Sequence, residues 1–86
     1  MEKELEINGK RYKVKEITYL QAIEVEEIRQ KSGLGDASKH MIKCSVGLLE
    51  EEIVKLSVKE GLELQKAINE VNELNFRSPV EEEGQK

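Results

Sequence analysis

The chain has little of what most catalytic and ligand sites are built from. It contains no Trp, and Tyr12, Tyr19 and Phe76 are its only aromatic residues, so a cleft with aromatic walls has almost no material. A lone Cys44 has no internal disulfide partner, which agrees with a reducing cytoplasm. One His and one Cys cannot supply the four ligands of a structural zinc site. No apolar run approaches the ~20 residues that span a bilayer, and the first residues are charged, so neither membrane contact nor a signal peptide is expected. The net charge is −4 and no basic stripe with interleaved aromatics is present, which speaks against nucleic acid as a partner. No Gly-rich phosphate loop occurs either, and no cofactor is expected.

What the chain does have is aliphatic and charged. Eighty-six residues, 37% of them apolar, make one domain with one core, near the size at which burial only just offsets chain entropy. Acids concentrate in the second half: residues 50–86 carry ten acids against five bases. The fold class this predicts is α+β and mostly helical: an N-terminal β-hairpin followed by three main helices, with the domain over residues 1–76. Arg77-Ser78-Pro79 ends the helical pattern, and residues 77–86, acidic and almost without apolar side chains, are expected to form a disordered tail.

Residues 3–16 alternate around Asn8-Gly9, a pair suited to the two positive-φ positions of a type I′ turn. With those two as the loop, Glu6 faces Arg11, Glu4 faces Lys13 and Glu2 faces Lys15. Leu5 faces Tyr12 on the opposite side, beside Ile7 and Val14. Charges on one face and apolar residues on the other are what a half-buried hairpin requires, and the charged face reads as solvated.

Thr18 and Gln21 form a capping box that starts the first helix at Tyr19, and Ser32-Gly33 marks its end. The apolar residues of this helix spread round the axis, so its buried side is not defined by pattern. Asp36 is the expected N-cap of a second helix running to about Leu49. Ala37, Met41, Cys44 and Leu48 cluster on one face, and Ile42, Val46, Leu49 and Ile53 cluster about 140° away. A helix apolar on two faces is either threaded through the bundle or shared with another subunit. Glu50-Glu51-Glu52 then reads as the acidic first turn of a short helix ending near Lys55, since consecutive helical residues diverge and cannot converge on one cation.

Ser57 and Glu60 form a second capping box and open the last helix, within Leu56–Leu74. Gly61, Leu64, Ile68, Val71 and Asn75 make its packing side, and Lys59, Glu63, Lys66, Glu70 and Glu73 its solvated back. A third stripe of Val58, Leu62, Gln65, Asn69 and Asn72 is neutral and rich in amides. Together, Ile42, Val46, Leu49, Leu62, Gln65, Asn69 and Asn72 are the candidate protein-interaction residues. Against them stands one chemical candidate, His40 with Cys44 four residues later, spaced for a metal pair or a thiol and imidazole couple. No oxyanion donor or further soft ligand accompanies it. No catalytic or metal residue is assigned, and enzyme activity is not expected.

Asn8-Gly9-Lys10-Arg11-Tyr12-Lys13-Val14-Lys15-Glu16, Gly47-Leu48-Leu49 through Glu51-Glu52-Ile53, Leu56-Ser57, and Leu64-Gln65-Lys66-Ala67-Ile68-Asn69 resemble, in this order, the tail assembly chaperones of long-tailed phages and related prophages. The resemblance implies a non-enzymatic, cytoplasmic helical protein that self-associates and binds the tape measure protein while the tail tube assembles around it. In that family some genes also yield a frameshift-extended product, and there is no catalytic motif to carry over. An alternative of another class is a small acidic regulatory module, antitoxin- or adaptor-like, that masks a basic protein partner.

Overall fold

The computed structural model describes residues 1–74 and Phe76. The expected tail over 77–86, and Asn75 on the packing side of the last helix, lie outside the described residues. The chain begins with the expected hairpin. Asn8 and Gly9 both take positive φ, 52° and 81°, so β1 (Glu2–Ile7) and β2 (Lys10–Lys15) pair antiparallel with Leu5 opposite Tyr12 and Glu2, Glu4 and Glu6 opposite Lys15, Lys13 and Arg11. On the charged face Arg11 meets Glu6 at 3.9 Å, whereas Lys13 reaches diagonally to Glu2 at 3.2 Å. On the other face Ile7, Tyr12 and Val14 are buried. Lys3 and Lys10 edge that face and reach Glu70 and Glu60 of the last helix.

α1 (Tyr19–Ser32) starts as its capping box dictates: Gln21 donates its backbone N–H to Thr18 Oγ1 at 3.1 Å and accepts the Thr18 N–H on Oε1 at 2.9 Å. It ends at Gly33, as Ser32-Gly33 predicts, though not in the left-handed helical conformation common at helix ends. Gly33 has φ 94° and ψ 178°, donates to the Arg29 carbonyl at 3.0 Å and accepts from the Ala37 N–H at 3.2 Å. Without a Cβ the chain turns this corner in a single residue, and α2 (Leu34–Val46) begins before Asp36 can cap it. Asp36 instead lies in the first turn, where its charge still meets the positive end of the helix.

Nor does α2 continue to Leu49. Gly47 adopts the left-handed conformation, φ 78° and ψ 21°, and closes the helix on the Lys43 carbonyl at 3.0 Å. The face expected to join Ile42 and Val46 to Leu49 and Ile53 is therefore cut. Leu48 packs on the core, Leu49 is 59% exposed, and Ile53 is buried from the short α3 (Glu50–Ile53).

α4 (Val58–Asn72) carries the most thoroughly buried side chains. Leu64 and Ile68 are fully enclosed and Val71 nearly so, while Lys59, Glu63, Lys66, Glu70 and Glu73 are exposed. Two further residues on the packing side, Ala67 and Glu60, are buried as well. The core lies between α4, the hairpin's inner face and the Ala37, Met41 and Ile42 side of α2. α1 packs on α2 and contributes Val25 to this core, with Ile28 partly buried alongside. That settles its buried side: Tyr19, Leu20 and Ile23 face water.

Among the described residues, Glu60 is the one buried acid. Its Oε1 accepts the Ser57 N–H at 3.1 Å, its Oε2 accepts the Tyr12 hydroxyl at 2.9 Å, and Lys10 Nζ stands 3.9 Å away. The Ser57 backbone bond first, then the Tyr12 hydroxyl, hold the carboxyl below its usual range. Burial, and then Glu60, push the Tyr12 hydroxyl up.

Leu64→Ala should lower the unfolding free energy by about 2–5 kcal/mol in urea titration, as expected for a cavity in an enclosed site, whereas Lys66→Ala should stay within about 0.5 kcal/mol of wild type. The Glu60 shift also has a defined sign. Because the folded chain holds this carboxylate ionised more strongly than the unfolded chain does, its stabilisation is present above the unfolded value of about 4.3 and is lost as pH falls through the lower folded value. The urea midpoint of wild type should fall more steeply than that of Glu60→Gln between about pH 5 and pH 3. Parallel slopes for the two proteins would exclude Glu60 as a source of acid sensitivity.

Candidate protein-interaction surface

The seven candidate residues do not form one surface. Gln65 is 1% exposed and Ile42 5%, Val46 is half-buried against the core, and Leu62, Asn69 and Asn72 are half-buried. The amides of the third stripe find partners inside the chain. Gln65 accepts from Ser38 Oγ at 3.4 Å, donates to Asn69 Oδ1 at 3.1 Å and approaches Met41 Sδ at 3.3 Å. Asn69 donates to the Phe76 carbonyl at 2.7 Å. Asn72 accepts the Ile17 N–H at 2.9 Å and donates to the Ile68 carbonyl at 3.0 Å. These bonds tie α4 to α2, to the β2–α1 connection and to the chain beyond Glu73. A buried amide must find such partners, and spacing along one helix does not reveal which side supplies them.

One apolar candidate from each of α2 and α4 meets the other at a groove that Val46 does not line. Ile42 from α2 and Leu62 from α4 line it with Ile53, Leu56 and Val58, and it encloses about 300 Å³. Three small residues, Gly35, Ser38 and Gly61, are part of its lining. A methyl group placed on either glycine would meet no atom within 4 Å, so nothing in the chain fills the space above them. Among the described residues, Lys39 is its single charged lining residue, and it lies 3.6 Å from Asp36 and 3.5 Å from Glu50. Leu49 is not part of this groove, because the turn at Gly47 carries it away.

A second apolar surface, absent from the expectations, lies at the start of α1. Tyr19 is 81% exposed and Leu20 71%, with Ile23 at 39% on the same side. Apolar residues spread around the axis were its signal in the sequence. A helix that buries only one of its sides leaves the remainder in water.

His40 and Cys44 are neighbours, with Sγ 3.5 Å from Nε2, and Glu24 Oε1 lies 3.4 Å from that same nitrogen. A nucleophile, base and orienting acid in series need the two ring nitrogens separately. Here thiol and carboxylate share one, so the trio is not a relay. Burial, and secondarily Glu24, push the Cys44 thiol up, away from the thiolate that nucleophilic or ligand chemistry uses. Among the described residues no group of three or more His, Cys, Asp or Glu is placed to hold a metal ion, and no helix is long and apolar enough to cross a membrane.

Compared with known proteins, the chain matches no family model, no curated protein and no solved structure.

Alkylation of Cys44 by iodoacetamide should rise with pH along a curve displaced upward from that of a free cysteine peptide, and the displacement should shrink in Glu24→Gln. A reaction already maximal at neutral pH would reveal an activated thiol and reverse this reading of the trio.

Proposed function

We propose that this chain is a non-enzymatic binding protein of the tail assembly chaperone kind, which self-associates and holds apolar helical segments of a tape measure protein in the host cytoplasm. The hairpin, Gly-Leu and Leu-Ser elements that resemble those chaperones support the family reading, and the groove supports the mode of binding. The carrying observation is that α2 and α4 leave an open apolar trough whose lining includes two helix glycines with room for a side chain at each. A glycine inside a helix costs about 1 kcal/mol relative to alanine. A partner whose helix approaches closely would use the room that cost leaves, laying the apolar side chains of one face between Ile42 and Leu62.

The alternative, an acidic module that masks a basic partner, draws on the ten acids of residues 50–86. Several of these are already engaged: Glu50 with Lys39, Glu70 with Lys3, and Glu60 with Lys10 and Tyr12. That engagement thins the field such a module would present.

Salt separates the two readings. Binding of tape measure segments, followed by calorimetry, should change by less than about threefold between 0.05 and 0.5 M salt if apolar burial drives it, because only exposed charges are screened over that range. A steep loss of affinity would favour the acidic module. Gly61→Ala tests the groove itself. It should raise the thermal midpoint of the free protein, by up to about 1 kcal/mol in stability, while weakening segment binding. If the variant is stabilised and binds undiminished, the partner lies elsewhere.

A further inference from the structure

The hairpin leaves one of its strand edges open. In the register closed by Asn8-Gly9, Lys3, Leu5 and Ile7 exchange backbone hydrogen bonds with Val14, Tyr12 and Lys10, so the N–H and C=O groups of Glu2, Glu4 and Glu6 point away from β2. No backbone hydrogen bond to those outward groups is found among the described residues. α4 meets β1 from its inner side, where Lys3 pairs with Glu70, and Glu2, Glu4 and Glu6 stay exposed. A hollow of about 300 Å³ lined by Glu4, Leu5, Glu6 and Arg11 lies against the strand. The opposite edge of the hairpin differs: α2 stands beside β2, and Ser45 Oγ donates to the outward carbonyl of Lys15 at 2.6 Å.

The residues whose backbone groups point outward are also the ones that carry carboxylates on the solvated face. A strand that pairs antiparallel with this edge therefore sets one residue directly opposite each glutamate. A second β1 would set glutamate against glutamate at every one of these positions, and like charges directly opposite work against pairing. Residues 77–86 of the chain carry Glu81-Glu82-Glu83 between Arg77 and Lys86 and bring the same wrong sign. The strand that β1 accepts on its other edge shows the right one: β2 sets Lys15, Lys13 and Arg11 opposite Glu2, Glu4 and Glu6. Those bases do not exhaust the carboxylates. Arg11 with Glu6 and Lys13 with Glu2 are exposed pairs of the weak surface kind, and Glu4 has no cation within 4.0 Å among the described residues.

We infer that the open edge of β1 binds an extended protein segment with Lys or Arg at every second position, which adds to the hairpin as a third, antiparallel strand. Main-chain bonds at Glu2, Glu4 and Glu6 hold the segment, and the three carboxylates select its charge. This surface is separate from the groove between α2 and α4, and the inference does not rest on the function proposed for that groove. Two strands alone make a marginal sheet, so the added strand also steadies the hairpin that receives it. An edge this short covers far less than the ~800 Å² per partner of a standard stable interface, so the contact is weak and reversible.

Residue-resolved amide exchange of the full chain by NMR tests this with an end-blocked peptide, Thr-Lys-Thr-Lys-Thr-Lys-Thr, and its counterpart with Glu in place of each Lys. The lysine peptide should slow exchange of the Glu2, Glu4 and Glu6 amides, and the glutamate peptide should leave them unchanged. Glu4→Gln keeps the outward N–H and should weaken binding of the lysine peptide by up to about fivefold, the worth of one cross-strand charge pair. Glu4→Pro removes an N–H that the hairpin does not use and should weaken binding at least about tenfold, with circular dichroism to verify folding. If Glu4→Pro does not fold, Glu4→Lys replaces it and should move the preference toward the glutamate peptide. The inference is overturned if the three amides do not respond to the lysine peptide, if both peptides protect them equally, or if Glu4→Pro binds like wild type. Protection that grows with protein concentration in the absence of peptide would assign the edge to a second copy, and a response confined to Ile42 and Leu62 would assign the peptide to the groove; either result overturns it too.

Discussion

The Glu60 carboxylate joins two parts of the molecule that would not hold separately. One oxygen accepts the Ser57 N–H and so starts α4, and the other accepts the Tyr12 hydroxyl and so fixes the hairpin over that same helix end. An isolated two-stranded hairpin is marginal in water and needs a packed face to persist. An isolated helix the length of α4 is marginal too. The carboxylate can be buried because two donors and a nearby lysine replace its water. Everything apolar between the strands and α4, from Val14 to Leu64 and Ile68, lies under that tie.

Much of this architecture was legible because its signals are local. The Asn8-Gly9 turn, the Thr18–Gln21 and Ser57–Glu60 boxes and the alternation of the strands each depend on residues within a few positions, and each is found in place. The failures came where one glycine outweighed a longer pattern. Apolar spacing alone carried α2 through Gly47 to Leu49, yet a left-handed glycine ended it at Val46. The start of α2 was displaced for a related reason, since Gly33 turns the corner before any side chain is needed as a cap.

The candidate surface was legible only in part. Leu62 and Ile42 do meet at an opening, but Gln65, Asn69 and Asn72 are occupied by bonds to Ser38, Phe76 and Ile17 that lie far along the chain or on other elements. Amides on a helix read the same whether they face a partner or the interior. Only the three-dimensional placement of their partners distinguishes the two. The burial of Glu60 was hidden likewise: its capping role was plain, and the Tyr12 hydroxyl that completes its shell is 48 residues away.

The single-residue corner at Gly33 has a dynamic consequence. α1 is joined to α2 through one residue whose backbone bonds reach only the adjoining turns, and it is seated by Val25 on one neighbour. Its hydrogen bonds are therefore expected to open ahead of those of the hairpin and α4, since α1 gives one buried residue, Val25, to the core that they share. Two tiers of cooperativity are then expected: amides of α4 exchanging with solvent through global unfolding, and amides of α1 through a shallower, sub-global opening. Among the described helices, the first is thus the one expected to adjust its seating most readily when another surface arrives.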